Sequence, residues 1–250
     1  MRKSLWMLMV ACCATASIFQ TVGSGNDRKS PPKVNAKANA AVSMSKVTSE
    51  PVEVREFEIR VDNRPAGTHS LSIKSAGEMN QVSIQSDVKM DFIVYAYVFK
   101  FRATEIWRSG RVERADIRCE DGGKKRSFAM KTEGDVQQVS FNGKPTSEST
   151  TGVMTTAYWQ LPPSELRTSP MTILDVDTGA IKVATLREIG PDNVTYGNKS
   201  IACRHFKIDG PSPAELWFDD QNRLVRQKSI EQGHATELRL KDIRMTQKED

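Results

Sequence analysis

From residue 51 onward the chain is written in short alternating runs separated by turn-forming clusters, and this rhythm restricts its fold more than any other feature. Val52, Val54, Phe57, Ile59 and Val61 mark a first strand with one offset, read as a bulge. Asp62-Asn63-Arg64-Pro65-Ala66-Gly67 is a turn. Leu71 and Ile73, then Val82 and Ile84, alternate in the next two strands. Phe92 to Phe101, FIVYAYVFKF, is a dense β-branched and aromatic run, expected as one long central strand or one buried on both faces. Ile117 and Cys119 alternate with Asp116, Arg118 and Glu120, and Glu120-Asp121-Gly122-Gly123 signals a hairpin. Phe128 and Met130 lie on the return strand, and Val139 and Phe141 on another that Asn142-Gly143 closes. The last third keeps the rhythm, with strands over Met171 to Val176, Ile181 to Ile189, Ser200 to Ile208, Ala214 to Phe218 and Ala235 to Ile243.

These amount to about ten to thirteen strands, with no long segment of helical periodicity. Short helices are expected around Ser164 to Arg167 and within 151–160. Nothing reads as a strand-helix-strand unit, so a doubly wound fold is not expected. The expected class is mainly β: a single strongly curved antiparallel sheet, or a barrel half open or closed, with one or two short helices.

The start of the chain reads as an export address. Arg2 and Lys3 precede the apolar stretch LWMLMVACCATA, and Ala14-Thr15-Ala16 offers small residues at cleavage spacing. A second cleavage option lies near Gly23-Ser24-Gly25. Met9-Val10-Ala11 before Cys12 is a weak lipobox, so lipidation at Cys12 is the alternative. Residues 1–25 are therefore read as a signal peptide and 26–50 as a polar linker rich in Pro, Ala, Ser and Lys. Residues 51–243 are the β domain and 244–250 a frayed tail. The expected location is the periplasm or outside the cell, with a membrane-anchored lipoprotein as the alternative. No segment of the mature chain is long and apolar enough for a transmembrane helix.

The formal charge of +5 is spread along the chain in strands that carry both signs. A nucleic-acid binder concentrates its excess in a stripe, and none is visible in the linear sequence. Cys119 and Cys203 remain after cleavage, either as one disulfide or as two buried thiols.

Chemistry-bearing motifs are scarce. There is no phosphate-binding loop, no dinucleotide fingerprint and no nucleophile elbow. His69, His205 and His234 stand far apart and read as isolated strand residues rather than zinc ligands. Asp175 with Asp177, and Asp219 with Asp220, read as turn chemistry rather than as an acid/base pair. No catalytic residue, metal ligand or cofactor is assigned, and the chain reads as not an enzyme. The aromatic residues carry the one open question. Tyr95, Tyr97, Phe99, Trp107, Trp159 and Trp217 either fill a core or line an apolar cavity for a lipid-like ligand.

Several motifs occur in a fixed order: FEIRVDNRPAGTH from Phe57 to His69, EIWRSGRV from Glu105 to Val112, EDGG from Glu120, AYW from Ala157, YGN from Tyr196 and ELWFDDQNRLVR from Glu215 to Arg226. This set resembles the DUF6134 family of uncharacterised bacterial exported proteins. More distantly it is similar to DUF3108 and to the LolA/LolB lipoprotein-carrier superfamily. The resemblance implies an exported, strongly curved antiparallel sheet of LolA type whose concave apolar side takes a lipid or a lipid-modified partner. It implies no catalytic residues. The two functional expectations are a periplasmic binder or carrier of a hydrophobic ligand, and a non-catalytic structural or protein-interaction module of the cell envelope.

Overall fold

The computed structural model describes residues 51–91, 96–150, 153–164, 167, 170–174, 181–231 and 233–246. The signal and linker regions, Cys12, Tyr95, the Asp175 and Asp177 pair and residues 247–250 lie outside these. Fifteen strands follow in chain order: β1 (Val52–Val61), β2 (Arg64–Ala76), β3 (Met79–Asp91), β4 (Ala96–Arg108), β5 (Arg111–Asp121), β6 (Lys124–Glu133), β7 (Val136–Phe141) and β8 (Lys144–Thr150). Then come β9 (Val153–Thr155), β10 (Met171–Leu174), β11 (Ile181–Tyr196), β12 (Lys199–Asp209), β13 (Ala214–Phe218), β14 (Leu224–Glu231) and β15 (His234–Thr246).

All fifteen belong to one sheet in the order 8-7-6-5-4-3-2-1-15-14-13-12-11-10-9. It is two meanders joined where β1 pairs antiparallel with β15. Fifteen strands laid flat would span about 67 Å at ~4.8 Å per strand. Yet the two edge strands are neighbours in sequence: β8 ends at Thr150 and β9 begins at Val153. Three Cα steps reach at most about 11 Å. The sheet must therefore curl until its edges nearly meet, and β9 indeed lies against β5. Register slips at Glu56/Phe57, Ile59/Arg60, Ile106/Trp107, Val139/Ser140, Glu188/Gly190 and Trp217/Phe218 supply bends. The ladder itself stays open, since β8 and β9 do not pair.

The turn chemistry explains the hairpins. Asp62 (φ 48°) and Asn63 (φ 64°) both adopt the left-handed conformation, so β1 and β2 are joined by two residues. The turn expected over Asp62 to Gly67 is thus shorter, and Arg64 to Gly67 belong to β2. Asn142 and Gly143 behave likewise at φ 48° and 76°. The run from Phe92 to Phe101 is not one strand. Asp91 pairs with Ala96, so the chain reverses between them. Tyr97, Val98 and Phe99 are only half-buried, not covered on both faces. Among the described residues no α-helix occurs; the short helix expected around Ser164 to Arg167 is a 3-10 turn at Ser164, where Arg167 N donates to Ser164 O at 3.2 Å.

Cross-strand register stacks the inward residues in rows. One row runs Leu240, Phe57, His69, Ser86, Phe101, Cys119. The next runs Arg55, Leu71, Ile84, Ala103, Ile117, Phe128. The parallel pair β9–β10 needs a crossover connection. That crossover carries Tyr158, Trp159 and Leu161 into the same core as Trp107, Phe206, Leu216 and Phe218.

Candidate functional site

The described residues place a polar nucleus inside the curl, where the crossover meets the sheet. Glu105 on β4 takes an inward position between Ala103 and Trp107 and is fully buried. Trp107 Nε1 donates to Glu105 Oε2 at 2.8 Å. The Thr155 hydroxyl on β9 faces the same carboxyl and favours its ionised form, but neither Thr155 Oγ1 nor Glu105 Oε1 has a well-formed hydrogen bond. Burial dominates and raises the Glu105 pKa to about 7. The Trp107 ring meets the Trp159 ring edge to face at 5.7 Å between centroids.

Arg55 on β1 holds the other side of Trp159. Its Nη1 donates to Trp159 O and its Nε to Glu53 Oε1, each at 2.5 Å. Burial lowers the Arg55 pKa, opposed chiefly by Glu53. The crossover also docks on the β13–β14 turn. Leu161 N donates to Asn222 O at 2.9 Å, and Gln160 bridges Arg223. Asp219 shapes that turn: its Oδ1 accepts from Gln221 N at 3.0 Å and Arg223 N at 2.9 Å, and its Oδ2 pairs with Arg223 at 2.8 Å. The turn reading of Asp219 stands, with a buried ion pair added to it.

The three histidines occupy separate surroundings. His69 Nδ1 lies 2.7 Å from Ser86 Oγ inside the curl, its Nε2 has no hydrogen-bond partner among the described residues, and burial lowers its pKa to about 4. His205 stacks on Trp217 at 4.2 Å and 6°. His234 pairs with Asp62 at 2.7 Å, tying the β1–β2 turn to β15.

The proposed aromatic lining is brought together only in part. Trp107 and Trp159 touch. Tyr97 donates its hydroxyl to Asp121 at 2.7 Å. Phe99 is half-buried and packs against both apolar clusters. It lies eight residues before Trp107 on one strand, about 26 Å away. Trp217 is buried under His205, with the Arg226 guanidinium 4.9 Å above its ring and its Nε1 donating to Asp192 at 2.7 Å. The described members of the set are thus spread along the sheet rather than gathered at one place. Cys119 and Cys203 are both buried as thiols, so of the two alternatives the disulfide is not the one formed. Burial pushes the Cys203 thiol up to about 11, which keeps it protonated near neutrality.

Two hollows open on the outside. One, of about 360 Å³, is lined by residues of β4 to β6 and Asn142. The other, of about 460 Å³, lies by Tyr196, Lys199 and Leu240. Reading the sequence alone missed Arg55, Glu105, Thr155 and the His69–Ser86 pair. Their signal was a polar residue at inward parity, which in Glu53-Arg55-Phe57 looked like an offset in the apolar series. The slip beside Phe57 actually lies in β15, where Lys241 is the extra residue.

Among the described residues no helix is long and apolar enough to cross a membrane. A search of curated proteins finds no match. Among solved structures, the chain is similar to a beta-barrel-like protein of domain of unknown function DUF1849 from Brucella abortus. The TM-score is 0.57 at 10% identity, covering 80% of this chain and 98% of that one. That likeness concerns the fold. The family model of a domain of unknown function, DUF6134, matches residues 57–241. This span includes the crossover, the buried Glu105 and the β13–β14 turn, and the chain belongs to the DUF6134 family.

Proposed function

We propose that the protein is an exported, non-catalytic interaction module of the cell envelope. The observation that carries this reading is the use already made of the interior. Side chains from both meanders and from the crossover bury one another there, with Trp107, Trp159, Leu216 and Phe218 all under 7% exposed. A hydrophobic carrier needs an apolar cavity of several hundred Å³. The aromatic residues available for one are engaged with each other or with polar partners. The basic n-region and apolar stretch at the start support export.

Two measurements test the reading. Native mass spectrometry of the protein recovered from a bacterial periplasm is expected to give an apo mass. Crosslinking in whole cells is expected to give a discrete adduct with an envelope component. A stoichiometric co-purifying lipid overturns the reading in favour of the carrier. Recovery from the cytoplasm with an intact N-terminus overturns the export part alone.

A further inference from the structure

We infer that the outer face of β4, β5 and β6 carries a binding site for a phosphate-type anion. Register puts two rows of side chains on this face. Arg102 faces Arg118, which faces Ser127; Lys100 faces Glu120, which faces Lys125. All border the hollow of about 360 Å³.

Arg102 is spent: it is bidentate to Asp87 at 2.8 Å and donates to Ser86 O and Phe101 O. Lys100, Arg118 and Lys125 are exposed and have no ion pair or hydrogen bond among the described residues. Glu120 stands between the two lysines and pairs with neither. It lowers the local positive potential without occupying an ammonium group. Asn142 accepts from Ser127 N through its Oδ1 at 2.8 Å, which leaves its amide NH₂ as a neutral donor at the rim.

Like charges directly opposite on adjacent strands repel. Asp87 balances Arg102, so Arg118 is the member of this pair left without a counter-charge among the described residues. Diagonal neighbours lie about 7 Å apart. Arg118 is thus flanked by Lys100 and Lys125 at a spacing that lets all three reach one small anion. The guanidinium fork suits a tetrahedral oxyanion through two parallel N–H bonds, and the ammonium groups act as point charges beside it. Three cations converging on one point match a phosphate group, whose tetrahedral oxygens point in more directions than the two of a carboxylate. The source is either free phosphate or a lipid phosphate head group. The site is on the outside of the curl and is independent of what the interior holds.

The test uses the full-length protein, with inorganic phosphate by calorimetry and with phosphatidylcholine vesicles containing or lacking phosphatidylglycerol by co-sedimentation. The site variant is Arg118→Glu with Lys125→Glu. A control with the same charge change is Lys74→Glu with Lys241→Glu, on other strands. The expected result is saturable binding by the wild type that weakens at least tenfold in the site variant and less than twofold in the control. It should also fall with added sodium chloride. Binding of phosphate alone identifies a free-anion site, and binding that includes the anionic vesicles identifies a head-group site; both sustain the proposal. Absence of saturable binding to every probe, or equal loss in the control, overturns it. Arg118→Glu places a carboxylate opposite Arg102, while Lys125→Glu places one opposite Glu120, so the two changes act on the sheet in opposite directions. Circular dichroism melting of both variants, with midpoints well above the assay temperature, shows that a binding loss is not a folding loss.

Discussion

Glu105 accepts a hydrogen bond from Trp107 Nε1 at 2.8 Å in a place with no exposure to water. The folded protein holds the proton of Glu105 more tightly than the unfolded chain does, with a pKa near 7 against an ordinary 4.5. An acid raised in this way contributes a penalty that is absent below pH 4.5 and grows as pH climbs towards 7. The full difference is about 3 kcal/mol. Glu105→Gln keeps an acceptor for Trp107 and abolishes the titration. It should raise stability at pH 8 by an amount of that order, relative to its effect at pH 4. Urea unfolding at the two pH values checks this; equal changes at both would show that the acid is not buried and protonated.

His69 supplies the opposite slope. Its folded pKa is near 4 against an ordinary 6.5, so folding favours the neutral ring. The penalty is absent above pH 6.5 and grows as pH falls towards 4. The two groups therefore titrate across the same interval with opposite signs, and together they flatten the wild-type profile. His69→Gln should unmask a fall in stability as pH rises from 4 to 7. Glu105→Gln should unmask a rise over the same range. Parallel profiles for the two variants would contradict this.

Arg55 fastens the crossover to β1 through Trp159 O while pairing with Glu53. Arg55→Ala leaves a buried carbonyl without its donor and a carboxylate without its counter-charge. A loss of about 3 kcal/mol is expected. Lysine lacks the planar fork that serves both acceptors at once, so Arg55→Lys should recover less than half of it. Guanidinium unfolding and the near-ultraviolet signal of Trp107 and Trp159 provide the readouts.

Gly67 is needed for close approach rather than for an unusual backbone angle. A Cβ there would lie 2.0 Å from Asp87 O on β3. Gly67→Ala must push β2 and β3 apart and should cost about 1–3 kcal/mol, a fall in Tm of several degrees. By contrast Gly77→Ala meets no neighbour and pays only for its positive φ of 59°. Calorimetric melting of the two variants separates the two kinds of glycine.

The strands, hairpin turns and open antiparallel sheet were legible because alternation and turn chemistry are local. Gly122-Gly123 and Asn142-Gly143 sit where their residue types demand. The Phe92 to Phe101 run misled because β-branched and aromatic residues mark strand propensity without marking where a chain reverses. The polar nucleus was illegible for a different reason. Arg55, Glu105 and Asp219 are spread over 164 residues of chain, and charged residues on a strand read as outward until register shows the face they occupy. The hollow on β4 to β6 was hidden in the same way. Lys100, Arg118 and Lys125 are scattered in the sequence and become neighbours only through pairing.

The junction of β1 with β15 sets the order in which the molecule can be finished. Apart from the β9–β10 crossover, each of the two meanders zips from neighbour to neighbour over short connections, but the ladder between Val52 and Thr246 closes a loop of nearly the whole domain. While β15 is still being delivered, β1 is a bare edge with ten residues of unpaired backbone at the centre of the future sheet. The part of the molecule that ends up most interior to the ladder is therefore the part exposed longest to wrong partners. A chaperone that guards the folding chain has most to gain by covering that one strand.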